Sequence, residues 1–528
     1  MRAKGISRPG ALLSPGTVLL AVAALLASVL SVPPAEAAKP KRANPQKRPN
    51  IVLIVTDDQR FDTLAEGAMP RTERLLGRRG AIFTEAIVTT PLCCPSRATM
   101  LTGQYGHNNG VLRNRYGLLR APRNVLPVWL RKSGYVTAHV GRWLNHYVSA
   151  VGDPERVAPG WKEWHTIVNN DDSNLRYFGY RLRVNGGTVK FGKKERDHLT
   201  REIQRRSLRI LDRYLPKRKP LYLQIDHLAP HSSPDPRLPC RRAAKPLARD
   251  VGRFDDREIE GRVPSFDHFD PGKHRAVREE PPWDEDKIAR SNRGWRCGLA
   301  SLLGVDRGIE RIVKRVRKHR ELGKTVFIFT SDNGYFLGEH RLGRKGRPYE
   351  EGVRVPLLVR MPPSLRKGAE AGMEIDLPVA NVDLPATILQ LARAKPCLGD
   401  RCRTLDGRSL LPLLRGRFDR WPEDRAILIE MSPREAGQAV GGGAPLCAFR
   451  GLRTPERAYY EFAGPDEEGR CPQPLWADPE PEYYDLEEDP FQLNATPAPV
   501  MAERLERLAS CAGIEGRDTP PPGRFNCE

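Results

Sequence analysis

The sequence lacks several features that would place it in common classes of protein. It has no Cys-x-x-Cys pair, which excludes a zinc ribbon of that type. Outside its N-terminal leader it has no apolar run long enough to span a bilayer, so we expect no stable membrane insertion. It also has no recognition-helix, zinc-finger or aromatic RNA-binding motif, so we expect no nucleic-acid partner.

Acidic residues are few relative to basic ones. The chain of 528 residues carries 87 Lys and Arg against 65 Asp and Glu, a formal net charge of +22. This surplus fits a protein that attracts acidic substrates such as sulfated glycans, and it fits equally an Arg-rich, solvated surface without such a role. Composition alone does not distinguish the two.

The first 38 residues are typical of a signal peptide. Basic residues open this leader, an apolar run covers 18–32, and the small-x-small pattern at 35–37 suits cleavage. The alternative is a membrane anchor, which the shortness of the run and the cleavage pattern disfavour. We therefore expect a secreted or extracytoplasmic protein whose residues 39–48 form a flexible basic leader.

Ten cysteines agree with an oxidising compartment. Two of them are adjacent and belong to a motif considered below. The other eight allow 105 pairings, so the connectivity does not follow from sequence alone. Pairing in chain order is the simplest solution because short loops close at low entropic cost. Cys397 with Cys402 and Cys511 with Cys527 are the best pairs.

Buried strands alternate with amphipathic helices through most of the chain. Continuous apolar, β-branched runs predict strands at 51–55, 136–140, 221–225 and 325–330, with a weaker one at 355–359. Helical patterns lie between them at 127–133, 199–214 and 299–322. This alternation predicts a mostly parallel, doubly wound α/β sheet flanked by helices, which we assign to a large domain at 49–415.

Two regions depart from this alternation. Residues 234–295 are rich in Pro, Asp, Arg and Gly, and they predict a functional insertion near the site or a partly disordered loop. After residue 414 only short strand-like pieces and a final amphipathic segment remain, at 426–429, 447–452, 458–462 and 500–508. We expect residues 416–528 to form a smaller α+β subdomain that disulfides stabilise.

Polar side chains directly follow four of the predicted strands. They are Asp57 and Asp58, then Arg142 and Asn145, then Asp226 and His231, and finally Asp332 and Asn333. Because ligands bind at the carboxyl ends of strands in an open parallel sheet, we expect these groups to meet in one site. Loop or helix-cap roles are the alternative, which four such strand ends together disfavour. Their oxygen donors suit calcium or magnesium rather than zinc or copper.

The densest signal is the run Cys-Cys-Pro-Ser-Arg-Ala-Thr-Met-Leu-Thr-Gly at 93–103. It predicts a sharp turn that opens a helix, which Gly103 ends. Backbone N–H groups at such a helix start suit a bound oxyanion. From the residues alone, Cys93 is half of a vicinal disulfide with Cys94, a structural thiol or a nucleophile.

The pattern Cys-x-Pro-Ser-Arg followed by Leu-Thr-Gly resembles the signature of the type I sulfatases, formylglycine-dependent members of the alkaline phosphatase superfamily. The resemblance covers nearly the whole mature chain and includes segments at 49–58, 141–147, 329–345, 349–356, 406–413 and 484–490. The double cysteine and Trp143-Leu144-Asn145 are most similar to N-acetylglucosamine-6-sulfatases and extracellular heparan sulfatases. The resemblance implies an alkaline phosphatase-like fold.

The resemblance also implies a nucleophile and a metal site. A formylglycine-generating enzyme would convert Cys93 to 3-oxoalanine (formylglycine), whose hydrate attacks sulfur through one hydroxyl and expels sulfate with the other. Asp57, Asp58, Asp332 and Asn333 would bind one divalent cation, with residue 93 completing the shell. Ca²⁺ is the expected ion and Mg²⁺ the alternative.

Five further residues correspond to contacts around the sulfate. Arg97 matches the arginine that steadies formylglycine, and Lys345 matches the lysine that contacts the sulfate and the leaving oxygen. His231 matches a histidine that binds sulfate or protonates the leaving group. Arg142 departs from the lysine usual in the family, which keeps the charge but changes the donor geometry. Many members carry a histidine at position 144, and here the neighbouring Asn145 is the favoured polar contact.

The first functional interpretation is a sulfatase acting on a sulfated carbohydrate of the glucosamine-6-sulfate type, such as a glycosaminoglycan. A second is a formylglycine-dependent phosphodiesterase or phosphonate monoester hydrolase, which shares the fold, the metal site and the formylglycine. A third is a non-catalytic protein that binds sulfated glycans through its basic surface, with Cys93 never oxidised. The full set of sulfate-side residues favours the first.

Overall fold

The chain folds around its apolar, β-branched runs. The computed structural model describes residues 48–528 except 154, 168–174, 218, 432–445 and 467, so the predicted signal peptide and nearly all of the predicted leader lie outside the described residues. Within the described part, the strands are β1 (Asn50–Asp57), β2 (Ala81–Phe83), β3 (Ala86–Ile87), β4 (Val136–Gly141), β5 (Glu163–Ile167), β6 (Arg181–Val184), β7 (Gly187–Lys190), β8 (Leu221–Pro230), β9 (Thr325–Ser331), β10 (Phe336–Leu337), β11 (Gly343–Arg344), β12 (Leu357–Arg360), β13 (Met373–Ile375), β14 (Val379–Ala380), β15 (Cys397–Leu398), β16 (Arg401–Cys402), β17 (Ile427–Met431), β18 (Ala448–Arg453), β19 (Arg457–Ala463) and β20 (Glu480–Asp485).

Helices lie between these strands and cover the sheet that they form. Within the described residues, the α-helices are α1 (Pro70–Thr72), α2 (Cys93–Thr102), α3 (Gly106–Asn109), α4 (Leu126–Lys132), α5 (Tyr147–Val151), α6 (Leu199–Tyr214), α7 (Arg275–Arg278), α8 (Glu285–Lys318), α9 (Glu350–Val353), α10 (Pro363–Arg366), α11 (Asp383–Ala392) and α12 (Ala502–Ala509). A π-helical turn over Glu73–Gly77 continues α1, and short 3₁₀ turns join several other elements. No helix of the described part is long and apolar enough to cross a membrane.

Ten strands form one large sheet in the order β13-β2-β12-β9-β1-β8-β4-β5-β6-β7. Its five central strands, from β9 to β5 in that order, are all parallel. Antiparallel pairs occur towards the edges, where β12 pairs with β9 and β2, and where β6 pairs with β5 and β7. The predicted α/β class is therefore confirmed, with a sheet that is parallel at its centre and mixed outside it.

The residues of β1 explain why both faces of this sheet are covered. All of them are buried. Ile51, Leu53 and Val55 pack into one hydrophobic cluster and Val52 and Ile54 into another, because successive side chains of a strand point to opposite faces. Residues of α2, α4 and α11 join the first cluster, and residues of α6 and α8 join the second. The sheet is thus doubly wound, as predicted.

Residues 234–295, predicted as a loop with little structure, contain helix α7 and the first turns of helix α8. Helix α8 was predicted to begin at 299 but begins at Glu285, where the side chain of Asp284 accepts the backbone N–H of Lys287 at 2.6 Å. The early turns are mostly polar and partly exposed, so no apolar periodicity marks them. The rest of this segment consists mainly of turns, with a 3₁₀ turn over Ala248–Asp250 and one isolated bridge between Phe266 and Glu339.

Beyond residue 415 the chain forms a small antiparallel sheet in the order β17-β18-β19-β20, and helix α12 packs against it. The three predicted strands and the final helix are confirmed, and β20 is an addition. The four disulfides follow chain order, which includes both pairs singled out above; they are Cys240–Cys297, Cys397–Cys402, Cys447–Cys471 and Cys511–Cys527. A domain boundary at 415/416 stays a prediction.

Buried polar contacts join the small sheet to the part of the chain that contains the large sheet. Nζ of Lys273 donates to the hydroxyl of Tyr484 at 2.6 Å and lies over the rings of Tyr349 and Tyr484, 4.3 and 4.6 Å from their centroids. The hydroxyl of Tyr349 donates to Glu482 on β20 at 2.9 Å. Only 1% of the surface of Lys273 is exposed. The two parts therefore share one buried polar seam.

Candidate active site

The carboxyl ends of the central parallel strands bring the predicted polar residues to one edge of the sheet. β1 ends at Asp57, and Asp332 directly follows β9. Gly141, the last residue of β4, has a φ of 118°, and a Cβ there would lie 1.8 Å from the carbonyl oxygen of Asp226 on β8. Only glycine allows this close approach of β4 to β8, which carries Arg142 to the same edge.

The thiol of Cys93 lies at the start of helix α2. The helix runs from Cys93 to Thr102, and Gly103 ends it with a φ of 69°, as predicted. The backbone N–H of Cys94 donates to Oδ1 of Asn114 at 3.0 Å. Cys93 and Cys94 are both buried and in the thiol form, so the vicinal disulfide considered above is not present.

The four predicted metal ligands and Cys93 form one buried cluster. Sγ of Cys93 lies 3.7 Å from Oδ1 of Asp57, and the ligand atoms of Asp57, Asp58 and Cys93 all lie within 4.8 Å of one another. The backbone N–H of Asp58 donates to Oδ1 of Asp332 at 3.1 Å. Nδ2 of Asn333 donates to Oδ1 of Asp58 at 2.7 Å. Residues far apart in the chain thus meet in one place.

This set of donors fits a hard divalent cation. It offers carboxylate and amide oxygens, which Ca²⁺ and Mg²⁺ prefer. Oδ1 of Asn333 is buried and accepts no hydrogen bond from any residue that the structure describes, as expected of an oxygen kept for a metal ion. Burial and the nearby carboxylate of Asp57 raise the pKa of Asp332. This is the repulsion expected where carboxylates converge.

Two buried arginines form ion pairs with these carboxylates. Nε of Arg97 donates to Oδ2 of Asp332 at 2.8 Å. Nη1 of Arg142 pairs with Oδ2 of Asp57, and its Nη2 donates to Oδ1 of Asn145 at 3.3 Å. Arg142 and Asn145 therefore lie beside the predicted ligands and contact each other. Their contact with a substrate stays a prediction.

Lys345 approaches both the thiol and a carboxylate. Its Nζ lies 2.8 Å from Sγ of Cys93 and also contacts Oδ1 of Asp58. Burial raises the pKa of Cys93 well above its ordinary value, although the positive charges of Arg142 and Lys345 oppose this shift. The thiol is therefore protonated near neutral pH, and in that form it is a poor nucleophile.

His231 faces the same cluster from the end of β8. Its Nε2 lies 3.7 Å from Oδ2 of Asp58, and its Nδ1 lies 2.6 Å from the carbonyl oxygen of Ser232. Because a carbonyl only accepts, Nδ1 carries a proton. The hydroxyl of the fully buried Tyr177 donates to the backbone carbonyl of His231 at 2.8 Å. No sequence pattern predicts this role of Tyr177, because its hydroxyl donates to a backbone carbonyl and not to a side chain.

Asp226 and His139 form a layer behind Arg97. Oδ1 of Asp226 accepts from Nη1 of Arg97 at 2.8 Å, and its Oδ2 lies 2.9 Å from Nε2 of His139. His139 packs among three indole rings. Asp226 was visible in sequence as a residue at a strand end. His139 was not, because it lies inside an apolar strand.

Known proteins with similar sequences assign this chain to a family. The family model described as Sulfatase matches residues 49–394. The chain belongs to the sulfatase family. The human N-acetylglucosamine-6-sulfatase is 35% identical over 402 residues, which cover 73% of this chain and 67% of that protein. The extracellular sulfatase SULF-1 homolog of Drosophila melanogaster is 33% identical over 405 residues. The family resemblance of the motifs is thereby confirmed.

Some of these sulfatase relatives are much longer than the matched region. The alignment covers 74% of this chain but only 33% of the Drosophila protein, and it covers 49% of a Sulf-1 homolog of Caenorhabditis elegans. The chain thus spans a third to a half of these two relatives. Their names describe the longer proteins.

Solved structures share the sulfatase fold. One of a protein in complex with its substrate D-glucosamine-2-N,6-O-disulfate aligns with a TM-score of 0.68 at 22% identity, covering 88% of this chain and 96% of that chain. A phosphonate monoester hydrolase from Silicibacter pomeroyi aligns with a TM-score of 0.60 at 21% identity, covering 87% and 94%. Since both kinds of protein align, the fold alone does not show whether a member of it hydrolyses a sulfate ester or a phosphonate ester.

Proposed function

We propose that this sulfatase-family protein hydrolyses sulfate esters of a sulfated carbohydrate of the glucosamine-6-sulfate type, and that the protein itself is secreted. The observation that carries the proposal is the buried cluster in which Cys93 meets Lys345, Asp57 and Asp58. Relatives named N-acetylglucosamine-6-sulfatase and extracellular sulfatase support the substrate class and the location.

The state of Cys93 supports a chemical conversion before catalysis. A buried thiol with a raised pKa attacks poorly at neutral pH. Oxidation by a formylglycine-generating enzyme, the proposed maturation partner, would supply an aldehyde whose hydrate provides the attacking oxygen. Asp57 and Lys345 already contact the Sγ position and would orient the group that replaces it.

The predicted ligands would hold one divalent cation. Asp57, Asp58, Asp332 and Asn333 would bind it, and an all-oxygen set of this kind suits Ca²⁺ best, with Mg²⁺ as the alternative. When bound, such a cation would offset the charge of the sulfate oxygens and polarise the nucleophile. Arg97 holds Asp332 by a charged hydrogen bond, which orients this ligand in advance.

Lys345 and His231, on the sulfate side of the site, would have different roles: charge stabilisation and proton transfer. Nζ of Lys345 lies where it can hold a sulfate oxygen beside residue 93, and a fixed positive charge there stabilises the transition state. His231 keeps one proton on Nδ1, against the carbonyl oxygen of Ser232. The second proton of its imidazolium form therefore lies on Nε2, from which it can pass to the leaving alcohol oxygen.

The first test is loss of turnover in Cys93→Ala. We expect purified wild-type protein to release sulfate from glucosamine-6-sulfate and from a nitrophenyl sulfate, and Cys93→Ala to be slower by about 1,000-fold or more. Cys94→Ala removes the adjacent buried thiol and is the matched control, which should stay within a few-fold of wild type. Equal turnover by wild type and Cys93→Ala would contradict the assignment.

Mass spectrometry and a parallel assay separate the alternatives. In active protein the peptide with residue 93 should be lighter than its thiol form, because conversion exchanges sulfur for oxygen and removes two hydrogens, whereas thiol oxidation adds mass. An unmodified peptide with glycan binding and no turnover would favour a non-catalytic binding protein. Faster hydrolysis of a phosphonate or phosphate diester than of sulfate esters would favour the second enzyme class.

A further inference from the structure

A large cleft adjoins the candidate active site. Its volume is about 1000 Å³, and Asp58 forms part of its wall. The other walls come from the segment 238–244, the first half of helix α8 and the loop at 335–344. This volume lies at the upper end of the range for small-molecule sites. One sulfated sugar at Asp58 would therefore leave much of the cleft open.

Positive charge dominates the cleft. Eight lysine and arginine side chains line it, against three carboxylates. Within the described part of the chain, Arg241, Arg242, Arg293 and Arg344 form no ion pair, and all but Arg293 are exposed. A concave surface lined by one sign of charge focuses its field and attracts ligands of the other sign. The cleft is therefore suited to anions.

The turn that carries Arg241 and Arg242 is fixed in position. The backbone N–H of Ala243 donates to the carbonyl oxygen of Cys240 at 3.2 Å, which puts the two arginines at the centre of the turn. The Cys240–Cys297 disulfide ties the turn to helix α8. Arg242 has a φ of 54°, a left-handed conformation that favours Gly or Asn.

The loop that ends at Lys345 connects the cleft with the sulfate side of the candidate site. Arg344 lines the cleft and is the direct neighbour of Lys345, whose Nζ contacts Cys93. Arg344 also has a left-handed φ, of 69°. Two successive residues therefore place one positive charge in the cleft, from Arg344, and the next beside Cys93, from Lys345.

We infer that this cleft binds further anionic groups of a linear sulfated polymer whose reacting ester lies at Cys93, with Arg241 and Arg242 as the principal contacts. The inference rests on the proposed sulfatase function. Guanidinium groups bind sulfate and carboxylate through paired, charge-assisted hydrogen bonds. The preferred substrate is then a polyanionic chain, and a monosaccharide sulfate or an aryl sulfate uses only the part of the site at the strand ends.

The double variant Arg241→Gln with Arg242→Gln tests this inference on two substrates. For desulfation of heparin chains we expect kcat/KM to fall about tenfold or more, mainly through KM, because two charged groups that bind the polymer are removed. For a nitrophenyl sulfate we expect a change within about twofold, since a compound of this size bound at Asp58 does not reach Arg241 and Arg242. Equal losses on both substrates would overturn the inference.

Two arginines near the C-terminal end of helix α8 provide a matched control. Arg317 lies in its last turn and Arg320 just beyond it. Both are exposed and form no ion pair among the described residues, and Arg320 has a left-handed φ of 58°. Arg317 is about 36 Å along the helix from Arg293. Arg317→Gln with Arg320→Gln should leave both substrates within about twofold of wild type. A loss on heparin equal to that of the cleft variant would mean that overall charge, and not the cleft, binds the polymer.

Calorimetry decides the inference even without turnover. In a Cys93→Ala background, heparin should bind about tenfold more weakly when Arg241 and Arg242 are replaced by glutamine, and the Arg317 and Arg320 replacements should have no such effect. Unchanged heparin affinity in the cleft variant would overturn the inference. If wild type releases sulfate from neither substrate, the proposed function fails, and this binding comparison still tests the cleft.

Discussion

The cluster at the strand ends and the cleft beside it share a wall at Asp58, but they hold their charges in different ways. In the cluster, Arg97 pairs with Asp332 and Arg142 pairs with Asp57, all of them buried. In the cleft, arginines such as Arg241 are exposed and have no carboxylate partner among the described residues. The cluster pairs these charges within the protein. The cleft pairs some of its cations, such as Arg60 with Glu339, and leaves others for a ligand.

This difference separates two jobs that one site has to do. Buried pairs are rigid, and removing one partner leaves the other uncompensated at a cost of about 3–5 kcal/mol. Exposed cations cost little in the folded protein and are screened by salt. The buried ion pairs of the cluster are therefore suited to orienting the reacting groups. The exposed arginines of the cleft are suited to selecting an anionic substrate.

Among the changes that test this comparison of the two regions, the largest effect is expected from Asp332→Ala. This change removes a predicted metal ligand and leaves Nε of Arg97 without its 2.8 Å partner. We expect turnover of every sulfate ester to fall about 100-fold or more and bound divalent metal to be lost, as measured by elemental analysis of the purified protein. Asp250→Ala is the control, because Asp250 is buried and pairs with Arg307 away from the site; it should keep its metal. Full metal content in Asp332→Ala would remove the contrast between the two regions.

An intermediate effect is expected from salt. Raising the ionic strength should weaken heparin binding steeply, because exposed arginines are screened, while turnover of a nitrophenyl sulfate should change little. A plot of log Kd against log salt should be shallower for Arg241→Gln with Arg242→Gln than for wild type, by about one unit of slope for each arginine replaced. Identical slopes for these two proteins would show that the cleft arginines do not bind the polymer.

The smallest effect is expected in the pH dependence of the free energy of unfolding, through the buried residue His227. His227 is fully buried beside Asp226, and burial lowers its pKa to about 4. The folded protein therefore keeps this imidazole neutral, while the unfolded chain takes up a proton below its ordinary pKa of 6.5, so the free energy of unfolding falls as the pH drops from 6.5 to about 4.

Denaturant unfolding of His227→Leu checks this sign. Both ring nitrogens of His227 lack a hydrogen-bond partner among the described residues, so leucine suits the position. Between about pH 7.5 and pH 5, wild type should lose about 1–2 kcal/mol more stability than the variant. His146→Leu, at an exposed position, should follow wild type. A variant with the same pH dependence as wild type would contradict the prediction.

The central sheet was predictable because its strands are buried on both faces. Each of the runs at 51–55, 136–140, 221–225 and 325–330 falls inside an observed strand. Strand β20 was not predicted, since its sequence Glu-Pro-Glu-Tyr-Tyr-Asp mixes a proline with acidic residues. Among the strands that the structure describes, it pairs with β19 alone, and on its other side it has one bridge between Tyr483 and Thr496. An edge strand of that kind tolerates proline.

The site was predictable where residues directly follow strands and was not where they act from elsewhere. The rule that ligands bind at strand carboxyl ends brought Asp57, Asp332 and His231 together before any coordinates. Asn114 and Tyr177 contribute through hydrogen bonds to backbone groups, and such interactions leave no local pattern in a sequence. The sequence predicted an insertion near the site at 234–295 as one of two alternatives, but not the cleft. The walls of the cleft also include residues from helix α8 and the loop at 335–344.

The seam around Lys273 has a consequence for how the protein is made. Its ammonium group is buried between Tyr349 and Tyr484, and Tyr484 lies on a strand that leaves the ribosome late. Until that strand is synthesised, the large domain holds a lysine and a tyrosine hydroxyl without their final partners. We therefore expect the protein to complete its folding only after translation of β20, and nascent chains stopped before it to remain targets for chaperones and proteases.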